Sequence, residues 1–131
     1  MSNETKKYDL EDRLVDFAVS VVGIIEALPA TKAGTHIGNQ LVRSGTSPAA
    51  NYGEAQGAES RRDFIHKMKV ALKELRESRV WLRVILKSRL LTDKEGAGSV
   101  MAESEELLRI LVASIRTAEG RVKTGCEKPR D

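Results

Sequence analysis

Apolar residues recur at three- and four-residue steps along most of the chain. Leu10, Leu14, Phe17, Ala18, Val21, Ile24, Ile25 and Leu28 share one helical stripe, which predicts a helix over 9–28. Asp9, Glu11 and Asp12 open it, where carboxylates suit the positive end of a helix dipole. Pro29 closes it, because the residue before a proline avoids the helical region. After a short connection a second helix is predicted over 35–57, with Gly45, Pro48 and Gly53 inside it. An interior proline costs ~3 kcal/mol and kinks the rod, so one bent helix and two shorter ones broken at Thr46-Ser47-Pro48 both fit the pattern. Small residues crowd its second half, and so thin a backbone lets a neighbouring helix come close.

The third helix is predicted over 61–89 with Ser60 as N-cap. Phe64, Met68, Ala71, Leu72, Leu75, Leu82, Ile85 and Leu86 form its core stripe. Val70, Trp81 and Val84 lie ~120° or more from that stripe at 3.6 residues per turn. An apolar second face calls for another protein surface, which makes these three an oligomer contact. The competing account has Trp81 packing on aliphatic stems within the subunit. Thr92-Asp-Lys-Glu95 has the spacing of a capping box and opens a fourth helix over 93–119. Its stripe is Val100, Leu107, Leu108, Leu111, Ile115 and Ala118, with a polar tail over 120–131. Four amphipathic helices with short connections predict an all-α fold, an antiparallel up-down-up-down four-helix bundle forming one domain over 1–131.

Composition agrees with that class and removes others. A chain of 131 residues, 40% hydrophobic and 31% charged, is a globular mix of single-domain length. No apolar run nears the ~20 residues that span a bilayer, and the polar MSNETKKYDL start lacks a signal peptide's apolar stretch. The lone cysteine, Cys126, allows no intrachain disulfide, and the expected location is cytoplasmic. His36 and His66 stand on different helices with no metal-ligand spacing around them, and no phosphate-binding glycine loop is present. No metal, cofactor, small-molecule substrate or catalysis is therefore expected.

Charge changes the picture more. Residues 1–60 carry 5 Lys+Arg against 8 Asp+Glu, residues 61–89 carry 10 against 3, and residues 90–131 carry 7 against 8. The basicity sits on helix three: Arg61, Arg62, Lys67, Lys69, Lys73, Arg76, Arg79, Arg83, Lys87 and Arg89. Such a rod suits phosphate contacts that do not read sequence, and it also suits plain solvation. With only 5 aromatic residues no stacking platform for unpaired bases exists, so structured RNA or duplex is the nucleic acid expected. On helix two, Arg43, Ser47, Asn51 and Glu54 are spaced 4, 4 and 3 in a polar stripe opposite Leu41, Gly45, Pro48 and Tyr52. Short or bidentate side chains of this kind suit a hydrogen-bond network between helices or subunits, with Arg43 matched to Glu54 or Glu77. A solvated face is the alternative.

The run Arg43-Ser-Gly-Thr-Ser-Pro-Ala-Ala-Asn51-Tyr-Gly-Glu54-Ala resembles the helix-two signature of the four-helix-bundle proteins of the 23S rRNA intervening-sequence (S23-like) family. Phe64-Ile65 and Glu77-Ser-x-x-Trp81-Leu82 are similar to the same family's helix three, and the resemblance covers about residues 8–120. It implies a bacterial cytosolic protein that assembles as a ring-shaped homopentamer. Accessory proteins of diversity-generating retroelements, which assist a reverse transcriptase and bind nucleic acid, are similar in fold. Two functions stay open at this point: a non-enzymatic oligomer that binds structured nucleic acid through helix three, and a scaffold or accessory subunit whose charged face docks an acidic protein.

Overall fold

Four helices follow one another in the computed structural model, which describes residues 9–124, with side chains to residue 120. They are α1 (Leu10–Ala27), α2 (Lys32–Gln56), α3 (Arg61–Lys87) and α4 (Glu95–Thr124). The end of the polar tail, including Cys126, lies outside the described residues.

Caps set most of the boundaries. Asp9 accepts from the Asp12 amide to open α1, and Ser60 accepts from the Asp63 amide at 3.0 Å to open α3. Helix α2 begins earlier than its hydrophobic pattern suggested, because Thr31 accepts from the Gly34 amide at 3.0 Å and starts the turn. Gly34, expected in the connection, is inside the helix; a Cβ there would lie 2.1 Å from the Pro29 carbonyl oxygen, so only glycine lets this turn form against Pro29. Helix α3 stops at Lys87, two residues short of the predicted end, where Ser88 takes an extended conformation. The expected Thr92 capping box does not open α4; the Glu95 amide donates to Asp93 Oδ1 at 3.1 Å, and Thr92 is exposed. Helix α4 continues to Thr124, past the predicted 119.

Helix α2 is continuous through Pro48, which settles the choice between one rod and two. The proline removes one amide from the ladder, but its ring is fully buried and contributes packing in return. Side chains on either side donate to carbonyls of the same helix: Thr46 Oγ1 to Val42 O at 2.7 Å and Asn51 Nδ2 to Ser47 O at 3.0 Å.

The register is antiparallel between neighbours. Gly45 faces Val21 and Gly38 faces Ile25 across the α1–α2 seam, Arg13 pairs with Glu103 between α1 and α4, and Lys69 and Arg79 pair with Glu119 and Glu105 between α3 and α4. Each helix packs on two neighbours, and α4 returns to α1, so α1 and α3 sit on one diagonal of the bundle. The core holds Leu14, Phe17, Val21, Leu41, Met68, Leu75, Leu82, Ile85, Leu107 and Leu111, all at most 2% exposed. Three buried serines interrupt it with their hydroxyls bonded: Ser78 donates to Glu74 O, the Ser44 and Ser78 hydroxyls are hydrogen-bonded 3.0 Å apart, and Ser104 donates to Met101 O. Among the described residues no helix is long and apolar enough to cross a membrane.

Candidate nucleic-acid interface

Helix α3 has two flanks on either side of its buried stripe, and they differ in chemistry. The flank toward α2 carries Lys67, Glu74, Glu77 and Trp81. Arg43 of α2 donates to Glu74 at 2.9 Å and to Glu77, Trp81 Nε1 donates to Glu77 at 3.0 Å, and Lys67 reaches Glu54 at 2.8 Å. Trp81 also stands edge-on to His36 of α2, with ring centroids 6.1 Å apart. Two residues of the polar stripe of α2, Arg43 and Glu54, thus form a seam with α3. Arg43 finds Glu77, one of its two expected partners, and Glu74 besides, while Glu54 turns to Lys67. Asn51 and Ser47 bond to each other along α2 and do not cross to α3. The Lys67 ammonium is held above its ordinary pKa by the hydrogen bond to Glu54. Because Lys67 belongs to this seam, it leaves the phosphate-contact set.

The other flank faces α4 and holds the basic side chains. Arg61 lines a cleft with Phe64, Ala113 and Thr117, and Arg62, Arg83 and Lys87 are exposed along the helix. Between α3 and α4 runs a groove of about 600 Å³, lined by Arg76 and Arg79 from α3 and by Arg109, Arg116 and Glu105 from α4, over a floor of Leu108, Val112 and Ala113. A second section of about 390 Å³ shares Arg76, Val112 and Arg116 and adds Lys69, Lys73 and Glu119. Arg79 stands 3.7 Å from Glu105, too far for a hydrogen bond, and Lys69 pairs with Glu119 at 2.9 Å. Arg76, Arg116 and Lys73 have no ion-pair partner among the described residues. Six cations therefore share a continuous groove with two carboxylates.

The α4 half of this groove escaped the sequence analysis. Arg109 and Arg116 sit in a segment of nearly balanced charge, yet their seven-residue spacing places them two turns apart on one face. That spacing was the available signal. Of the three residues assigned to an oligomer face, Val84 is open, whereas Val70 and Trp81 are partly covered within the subunit. Among the described residues no group of three or more His, Cys, Asp or Glu side chains could hold a metal ion.

Comparison with known proteins places this architecture. A protein from the S23 ribosomal protein family of Bacteroides thetaiotaomicron, described as of unknown function, has a crystal structure similar to this one. The two share 35% sequence identity with a TM-score of 0.74, over 81% of this chain and 97% of that one. No curated protein matches the chain. The family model described as 23S rRNA-intervening sequence protein matches residues 6–113, most of the bundle and all of the Arg43–Glu54 signature. The chain belongs to the 23S rRNA-intervening sequence protein family.

Proposed function

We propose that the protein is a non-enzymatic, cytoplasmic homo-oligomer, a pentamer by the resemblance, that binds the sugar–phosphate backbone of structured RNA through the α3–α4 groove. The observation that carries this is the excess of cations in one continuous groove, with Arg76 and Arg116 at its centre uncommitted to any carboxylate among the described residues. Guanidinium groups form bidentate bonds to phosphate oxygens, and the groove's aliphatic floor lets their stems lie flat while the heads project. The family's connection with rRNA genes favours RNA as the polyanion. Without aromatic side chains in the groove lining, recognition goes to backbone shape and charge, with little discrimination of sequence.

The test is a titration of a structured rRNA fragment, and of a DNA duplex of equal length, at two salt concentrations. Binding should weaken steeply with salt, by about 0.9 units of log–log slope per phosphate contacted on a duplex. Arg76→Glu with Arg116→Glu should abolish it while leaving helical content intact. An assembled protein that binds neither nucleic acid at low salt would overturn the proposal and turn the search to an acidic protein partner.

A further inference from the structure

Away from the groove, six large hydrophobic side chains are exposed among the described residues, and all six are valines. Three form one line on α1: Val15 is 44% exposed, Val19 64% and Val22 43%. Glu11 and Glu26 bracket them, so Glu11-Val15-Val19-Val22-Glu26 runs at spacings of 4, 4, 3 and 4 along one side of the helix. At a rise of 1.5 Å per residue the line is ~22 Å long. Helix α3 carries its counterpart. Val80 and Val84, 51% and 36% exposed, lie between Lys73 and Lys87 at spacings of 7, 4 and 3, over ~21 Å, with the exposed Arg76 beside the line in the gap between Lys73 and Val80. None of the four bracketing charges has an ion-pair partner among the described residues.

We infer that these two lines are the two halves of a contact between copies of this chain: the α3 line of one copy docks on the α1 line of the next, head to tail. Within one molecule they do not meet, because α1 and α3 are not packed neighbours. Equal length, valines at the centre and opposite charges at both ends match them to each other. Either line placed on its own copy sets like charges together, glutamate on glutamate or lysine on lysine, which disfavours a two-fold contact and selects the head-to-tail one. Trp81, partly covered within the subunit and bonded to Glu77 on the α2 side of the helix, takes no part; Val84 alone of the three residues first assigned to an oligomer face belongs to this contact. The contact uses Lys87 and Lys73, which also lines one section of the groove; Arg76 borders both surfaces, and Arg79, Arg109 and Arg116 lie off this line. The inference rests on the oligomeric part of the proposed function and names the faces that part leaves unspecified.

The test measures the mass of the full-length chain in solution by light scattering, with circular dichroism as the control for folding. Val19→Glu and Val84→Glu should each reduce the assembly to single chains with helical content unchanged. Mixed together, they should form a one-to-one dimer, since one keeps the α3 line and the other the α1 line. Reversing Glu11 and Glu26 to Lys should also break the assembly, and adding Lys73→Glu with Lys87→Glu to the same chain should restore it without touching a valine. If one valine variant dissociates and the other stays assembled, a face pairs with itself and the head-to-tail contact is wrong. If both variants keep the wild-type mass, the faces are wrong while the oligomeric reading stands. A wild-type chain that runs as a monomer overturns both.

Discussion

At Gly45 a side chain of α1 packs directly on the α2 backbone: a Cβ added there would lie 2.8 and 2.9 Å from the two Cγ atoms of Val21. Gly45→Ala should therefore destabilise the fold by about 1–3 kcal/mol through overpacking, read as a lower melting temperature. Gly53, in the same helix, has nothing within 4 Å of an added Cβ. Gly53→Ala should raise stability by about 0.5–1 kcal/mol, because alanine loses less backbone entropy in a helix. The opposite signs separate a glycine that permits close approach from one that merely weakens a rod. Tyr52 gives a pH signature at the same scale. Burial first, then the charges of Asp9 and Glu11, hold its phenol above the ordinary value of 10.0. The folded state favours the neutral phenol, so this contribution is complete below the unfolded value and is lost as pH rises through the folded one. Alkaline unfolding monitored by circular dichroism should show Tyr52→Phe losing less stability than wild type above pH 10.0.

The α2–α3 seam ranks its own residues. Glu77 accepts from both Arg43 and Trp81, and its side chain is 32% exposed, whereas Glu54 pairs only with Lys67 and is 60% exposed. Removing Glu77 leaves the half-buried indole N–H and the guanidinium without that acceptor. Glu77→Ala should cost about 1 kcal/mol and Glu54→Ala less than about 0.5 kcal/mol, compared in denaturant melts. Helix order, stripe membership and the Ser60 cap were legible because period 3.6 and capping chemistry are local. The Thr31 start of α2 was obscured by Gly34, which reads as a breaker until Pro29 is seen lying against it. Ser44, Ser78 and Ser104 were invisible to hydrophobic pattern, since a hydroxyl that bonds within its own helix, as in Ser78 and Ser104, or to a facing hydroxyl, as in Ser44, packs like a small apolar group. Half of the candidate site was legible as a basic run on α3. The other half was hidden because Arg109 and Arg116 are separated from their α3 neighbours by a whole helical connection, and only packing joins them.

For the whole molecule, groove and subunit contact make a joint prediction. On the proposed function a single groove would meet only a short stretch of RNA backbone, through a handful of charge contacts that salt weakens. The proposed assembly, with one groove per copy, would let a long RNA engage a second groove once the first is occupied, at an effective local concentration that raises avidity without any new kind of contact. Val19→Glu separates these effects, because Val19 lies on α1, away from the residues that line the groove. A helical RNA of about ten base pairs, too short to bridge two grooves, should bind the variant within about twofold of wild type once the added negative charge is screened. A structured RNA of about a hundred nucleotides should bind the variant at least about tenfold more weakly, because bridging is lost. The comparison is best made at one salt concentration, with protein expressed as single chains, so that the number of grooves is equal in both samples. Equal losses for short and long RNA would mean that the substitution reaches the groove itself. No loss for either would mean that one groove carries the whole affinity and that assembly serves something other than RNA binding.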